Sequence, residues 1–369
     1  MRRVVLWLAA GIVSSGCGTR TSLDLLARPL PDAAPIETTD AVVDVAPPSC
    51  ARGIVATTQS FPEVLALDGV AVYWMDKGDS SVANDGRLAR CPKSGCSAAP
   101  EVLHAPMTSG GGLAVDALAV YWTELGVASA FSCNKLICTP RTLFVDAADG
   151  PITLLADGAS LDVLSYHSVE TCPVAGCSAP NKLASLTYGA LAIAADATSI
   201  YFTEASPSGA LRGSIYACAK PACAGGPRAV ATGLPAAPWG LAIDAANVYF
   251  MIGGAAADAD GAGELRVCPK SGCGASPTTL VSGRNHPTNL VSDADRLYWI
   301  EQGTAARAFA DGAVASCAKS GCAGAPTIVA ASQYLPAAVA LDEACVYWST
   351  SGTSATPGTI QRAPKVIPP

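Results

Sequence analysis

The sequence predicts an all-β fold, a seven-bladed β-propeller with four-stranded blades in which the last blade is closed by an N-terminal strand. Three observations predict it. An Asp followed five residues later by an aromatic pair recurs along the chain beyond Cys50. Cysteine pairs with four residues between them recur in register with that motif. The two ends of the repeated region are each incomplete, and what one end lacks the other supplies.

The aromatic segments occupy 65–74, 113–122, 191–202, 241–250, 290–299 and 339–348, with the leading acids at Asp68, Asp116, Asp196, Asp244, Asp293 and Asp342. A seventh, eroded copy surrounds Asp157, where Asp162 and Val163 take the Tyr-Trp places. Successive Asp residues stand 39 to 49 apart, the period of a propeller blade. Within a repeat, one strand ends in the Asp turn, a second carries Val-Tyr-Trp, and a polar loop follows. A third strand such as 87–90 runs into Cys91-Pro-Lys-Ser-Gly-Cys96, and a short fourth such as 101–103 ends the unit. Pro and Gly between the cysteines favour a tight reversal, so strands three and four form a hairpin and no helix is required.

Gly112-Leu-Ala-Val-Asp116 followed by Tyr121-Trp-Thr-Glu124 resembles the core motif of the YWTD propellers of the low-density-lipoprotein receptor family. Tyr73-Trp-Met-Asp76 and Tyr201-Phe-Thr-Glu204 are close variants, and the resemblance extends over about residues 60–365. It implies a propeller that binds rather than catalyses. That family has six blades and lacks these cysteine hairpins, so the fold carries over and the partners do not.

Six cysteine pairs are in register: Cys91 with Cys96, Cys133 with Cys138, Cys172 with Cys177, Cys218 with Cys223, Cys268 with Cys273, and Cys317 with Cys322. In an exported chain they read as disulfides, since zinc sites use shorter spacings and would need two pairs to converge. Each closes so small a loop that it contributes at most about 2 kcal/mol, bracing a hairpin without making the fold. Cys50 precedes Asp68 by 18 residues, close to the 19 to 21 that separate the second cysteine of a pair from the next Asp, so 53–57 is a fourth strand without its first three. At the other end Thr359-Ile-Gln-Arg-Ala-Pro-Lys365 matches Arg87-Leu-Ala-Arg-Cys-Pro-Lys93, with Ala363 in the first cysteine's place. The N-terminal strand is therefore expected to complete the last blade and leave no open edge, with Cys345 bonded to Cys50.

Arg2 and Arg3 precede an apolar run over 4–13, too short for a permanent membrane span. Ser14-Ser15-Gly16-Cys17 then resembles a bacterial lipoprotein signal, which implies lipidation of Cys17. The expected organisation is a signal peptide over 1–16, a flexible tether rich in Pro, Ala and Asp over 17–49, and the propeller over 50–369. The protein is then exported to the cell envelope, facing periplasm or cell surface, and meets the membrane through its lipid only.

Half of the 369 residues are apolar, 14% are charged, and the net charge is −7. Nucleic acid is an unsuitable partner, because phosphate affinity rests on Lys and Arg clusters. His104, His167 and His286 are the three histidines, none in a paired metal spacing, and no nucleophile elbow or phosphate loop occurs. No metal or cofactor is called for. Asp258-Ala-Asp260-Gly-Ala-Gly-Glu264 offers carboxylates without the spacing of a calcium loop.

Asp turns and cysteine hairpins share one face of the ring, while second-strand loops and inter-blade segments, which vary, share the other. On that variable face Trp239, Arg284, Asn285 and His286 are the candidate ligand-binding residues. The plainer reading is that Trp239 seals the channel mouth and His286 is a solvated loop residue. The repeated Tyr-Trp pairs are read as packing between blades. The function expected is an extracytoplasmic binding module for a protein, peptide or glycan. The alternatives are an envelope assembly scaffold and a lyase or hydrolase acting at the channel mouth.

Overall fold

A computed structural model describes residues 49–366 apart from 79–84, 147, 176, 206–212, 254–258, 323 and 353–355. Cys17 and the expected signal and tether, 1–48, lie outside the described residues. The described strands form seven four-stranded antiparallel sheets. β1 (Gly53–Gln59) precedes blade 1, which contains β2 (Pro62–Leu67), β3 (Ala71–Asp76), β4 (Gly86–Pro92) and β5 (Glu101–Met107). Blade 2 holds β6 (Gly110–Val115), β7 (Ala119–Glu124), β8 (Ser129–Asn134) and β9 (Arg141–Val145). Blade 3 holds β10 (Pro151–Ala156), β11 (Ser160–Ser165), β12 (Ser168–Pro173) and β13 (Asn181–Ser185). Blade 4 holds β14 (Ile193–Ala195), β15 (Ser199–Ala205), β16 (Gly213–Ala219) and β17 (Arg228–Leu234). Blade 5 holds β18 (Pro238–Ile243), β19 (Asn247–Ile252), β20 (Gly263–Pro269) and β21 (Thr278–Arg284). Blade 6 holds β22 (Pro287–Ser292), β23 (Arg296–Glu301), β24 (Gly312–Ala318) and β25 (Thr327–Gln333). Blade 7 is β26 (Pro336–Leu341), β27 (Cys345–Gly352) and β28 (Pro357–Pro364), with β1 as its outer strand. Two single 3₁₀ turns, Leu125–Val127 and Ala305–Arg307, are the helical elements among the described residues.

Closure follows from register. β1 pairs antiparallel with β28, Gly53 opposite Arg362 and Gln59 opposite Gly358. Ala363 stands opposite Val346, where the other blades place a cysteine opposite the same second-strand position, as Cys91 opposite Val72. Cys345, one residue earlier, bonds Cys50 at a Cα–Cα distance of 5.5 Å.

The other six bridges each stay within one hairpin. Cys91 bonds Cys96, Cys133 bonds Cys138, and Cys172 bonds Cys177. Cys218 bonds Cys223, Cys268 bonds Cys273, and Cys317 bonds Cys322. In every pair the first cysteine ends the third strand of its blade and the second lies in the turn that follows, as Cys138, Cys177, Cys223, Cys273 and Cys322 do after β8, β12, β16, β20 and β24. With Cα atoms 4.8 to 5.6 Å apart, these pairs sit within the span of a disulfide.

The Asp turn is a hydrogen-bonded cap. Asp68 Oδ1 accepts the N–H groups of Val70 and Ala71 at 2.8 and 2.7 Å, and Oδ2 accepts the Tyr73 hydroxyl at 2.9 Å. Asp116, Asp244 and Asp342 repeat all three bonds. A lysine from the next blade adds an ion pair: Lys135 to Asp68 at 2.7 Å, Lys270 to Asp196 at 2.7 Å, Lys319 to Asp244 at 3.5 Å and Lys365 to Asp293 at 3.1 Å. Lys93 of blade 1 reaches Asp342 of blade 7 at 3.0 Å, so the same clasp spans the closing seam. In blade 3, where Asp162 replaces Tyr, Lys220 binds both Asp157 and Asp162. Val174 holds the lysine position in blade 3 itself, so the seam between blades 2 and 3 has no such pair.

Aromatic side chains fill the seams. Trp74, Trp122, Trp299 and Trp348 are fully buried, as are Tyr73, Tyr121, Tyr298 and Tyr347. Trp122 packs with Tyr73, Met75 and Leu88 of blade 1, and Trp74 with Val55, Tyr347 and Ile360 of blade 7. The core is therefore a ring of inter-blade clusters. Inner strands approach closely: a Cβ on Gly112 would meet the Thr153 backbone at 2.5 Å, so β6 and β10 require glycine there.

Candidate functional site: the channel and the seam mouths

The inner strands enclose a central cavity of about 900 Å³. Its wall is largely aliphatic, with Val64, Ile152, Ala194, Val291 and Ala340, and Trp239 at the second position of β18. Among the described residues the charged members of this wall are Asp157 and Asp162, both held by Lys220. No histidine among the described residues lines it.

The variable face is built differently. Where the outer strand of one blade ends beside the second strand of the next, each seam has a mouth. At four mouths a buried tryptophan donates its indole N–H to a side-chain oxygen. Between blades 7 and 1, Trp74 Nε1 donates to Gln59 Oε1 at 2.9 Å, and Arg87 bonds both Gln59 and Asp76, the latter at 2.7 Å. Burial pushes the Asp76 carboxyl up to about 6 even though Arg87 pulls it down.

Between blades 1 and 2, Trp122 donates to Glu124 at 3.1 Å and His104 Nε2 meets the same oxygen at 3.1 Å. Burial alone would raise Glu124; the bonds from His104 and Trp122 hold it below its ordinary value. Between blades 5 and 6, Trp299 donates to Glu301 at 3.0 Å. Arg284 grips that carboxylate with Nε and Nη2 at 2.8 and 2.9 Å. Between blades 4 and 5 the mouth is apolar, with Leu234 and Ile252 buried.

The mouth between blades 6 and 7 is polar and uncharged. Trp348 Nε1 donates to Gln333 Oε1 at 2.9 Å, and Gln361 Nε2 donates to Gln333 Oε1 and Thr359 Oγ1 at 3.1 and 2.9 Å. The hydroxyls of Thr350 and Thr359 lie 2.8 Å apart. Thr350 holds the place that Asp76, Glu124, Glu204 and Glu301 hold elsewhere, two residues beyond the tryptophan or its Phe equivalent.

The structure does not gather the sequence candidates into one site. Trp239 lines the channel, whereas Arg284 is committed to Glu301 in a seam. Asn285 is half-buried in the crossing from β21 to β22. The plain reading of His286 as solvated is corrected: it is 1% exposed, 3.0 Å from Asp260, with its ring edge-on to Phe309 at 5.6 Å. Its backbone turns left-handed at φ 47°, which tucks the ring into the blade 5–6 seam. His167 is exposed beside Asp149 at 3.1 Å. Of the acidic stretch, Asp258 lies outside the described residues, Asp260 is bonded to His286, and Glu264 to Arg266.

Sequence reasoning missed two sets of residues. Five of the clasping lysines stand two positions after the first cysteine of a hairpin, and Lys365 stands two after Ala363, a signal visible in the repeat. The glutamines at the seam mouths, Gln59 and Gln333, each stand fifteen residues before the tryptophan they bind.

No protein-family model and no curated protein sequence matches the chain. Solved structures do. Virginiamycin B lyase from Staphylococcus aureus superposes with a TM-score of 0.62 at 11% identity, covering 85% of this chain and 98% of that one. The structure of U3-55K gives 0.65 at 10% identity, covering 86% and 100%. The WD40 propeller domain of Doa1 gives 0.60 at 9% identity, covering 84% and 96%. At such identities these likenesses establish one thing, that the chain folds as a β-propeller.

Proposed function

We propose that this protein is an exported binding module, a YWTD-like propeller held at a cell-envelope membrane by a lipidated Cys17, which presents its variable face to a protein, peptide or glycan. The observation that carries the reading is the contrast between the two faces. The Asp-turn face repeats one clasp at six of the seven seams. The seam mouths differ from each other in charge and shape, the arrangement expected where a rigid scaffold varies for recognition. A lyase or hydrolase at the channel mouth is less well supported, because general acid–base chemistry needs a titratable group within hydrogen-bonding reach of substrate. The channel wall is largely aliphatic, the two carboxylates among its described residues are both bonded to Lys220, and two of the histidines are tied to carboxylates in the seams.

Photo-crosslinking in intact cells tests this. A photoreactive residue at exposed Pro235 or Ser332 on the variable face is expected to capture a partner, and one at exposed Ala246 in an Asp turn is not. Equal capture from both faces would refute the assignment. Mass spectrometry of the mature N-terminus is expected to find acylated Cys17, and Cys17→Ser to release the protein from the membrane fraction.

A further inference from the structure

The mouth between blades 6 and 7 opens into a cavity of about 280 Å³ lined by Gln333, Tyr334, Thr350, Thr359 and Gln361. Among the described residues its lining contains no Asp, Glu, Lys, Arg or His. At three other mouths a carboxylate bonded to Arg or His occupies the corresponding place: Asp76 to Arg87, Glu124 to His104, Glu301 to Arg284. Substituting Thr350 for the carboxylate removes one partner, and the space left is polar but neutral.

Its hydrogen-bonding capacity is only part used. Gln361 spends its amide nitrogen on Gln333 and Thr359, and among the described residues its carbonyl oxygen receives no bond. Gln333 donates once, to the Ala331 carbonyl at 2.8 Å, which leaves one amide hydrogen. The Tyr334 hydroxyl has no partner among the described residues, and its half-buried ring supplies a flat apolar wall. Donors, acceptors and an aromatic face thus alternate over a few ångströms. The network behind them is anchored on the buried Trp348 indole, so the amides are held before any ligand arrives.

We propose that this cavity binds one ring of a neutral saccharide, which makes the glycan alternative of the proposed function specific and rests on the variable face being the recognition face. Each sugar hydroxyl both donates and accepts, which suits amides and hydroxyls with capacity to spare, and the apolar C–H face of the ring suits Tyr334. Charged ligands are disfavoured, because among the described residues no counter-charge lines the cavity to offset their desolvation. The volume lies just below the roughly 300–1,000 Å³ of small-molecule sites, so it takes a single ring rather than an extended chain.

The test is binding of the full-length chain, in detergent, to an array of neutral and sialylated oligosaccharides, followed by calorimetry with the best neutral ligand. Selective retention of neutral glycans is expected, weakened at least tenfold by Tyr334→Ala and by Gln361→Glu, while Ala246→Ser in an Asp turn on the opposite face leaves it unchanged. Melting curves and a count of intact disulfides establish that each variant is folded, and the two variants act independently. Binding unaffected in both folded variants would overturn the pocket. So would preference for sialylated glycans, or no glycan retained. In the last case partner capture from Pro235 or Ser332 still decides the broader reading separately.

Discussion

Asp76 and Asp68 show how the same residue type works in opposite senses. Asp76 is fully buried beside one arginine, and burial prevails, so its carboxyl sits near 6 in the folded protein. The folded state then binds a proton more tightly than the unfolded chain, and acidification from pH 8 towards pH 4 stabilises it through this group. Against Asp76→Asn, the wild type should gain up to about 3 kcal/mol over that range, measured by urea denaturation. A loss over the same range would contradict the assignment.

At Asp68 burial also acts upward, but Lys135 and the turn N–H groups overcome it and hold the carboxyl near 2. Asp116, Asp157, Asp196, Asp244, Asp293 and Asp342 are lowered likewise. Their contribution is present above about pH 4 and lost as pH falls through the folded values, so acid unfolding should set in below pH 4. Replacing Lys135 by Met should cost about 1 kcal/mol at pH 7 and shift the acid midpoint upward, because Asp68 loses the cation that keeps it ionised. An unchanged acid midpoint would show the clasp to be passive.

At the scale of the element, β1 is the strand that decides whether the ring holds. It supplies Val55 and Ala56 to the cluster around Trp74, and Gln59 to the Trp74 indole. Its bond from Cys50 to Cys345 links positions 295 residues apart. In the chain-entropy estimate such a loop contributes roughly 5 to 6 kcal/mol, against about 2 for a hairpin bridge. Cys345→Ser should therefore lower stability more than Cys317→Ser does, as read by chemical denaturation; equal losses would place little of the closure in this bond.

Much of this element structure is legible in the sequence. The repeated Asp, the Tyr five residues on and the paired cysteines identify strands and blade count, and the strand at 53–57 identifies closure. Blade 3 is legible from Asp157 and the pair Cys172 and Cys177, since Asp162 displaces the aromatic residue. The clasp is not legible within one repeat, because each lysine's partner lies in the preceding blade. The seam mouths are hidden for the same reason: Gln333, Thr350 and Gln361 come from three strands of two blades. Nothing in Arg284-Asn285-His286 marks the left-handed turn that buries the histidine.

For the whole molecule, seven sheets packed side by side leave no sheet with an unmatched strand, and Ala46–Pro369 forms one compact unit. A ring so closed holds its seam mouths at fixed positions, as the proposed recognition role requires. That rigidity depends on the two chain ends sharing one sheet. Proteolytic mapping of the unreduced protein by mass spectrometry tests this most directly. The account predicts a peptide containing Cys50 joined to one containing Cys345, with every other bridge confined to its own hairpin; Cys50 found free, or joined to any other cysteine, would contradict it.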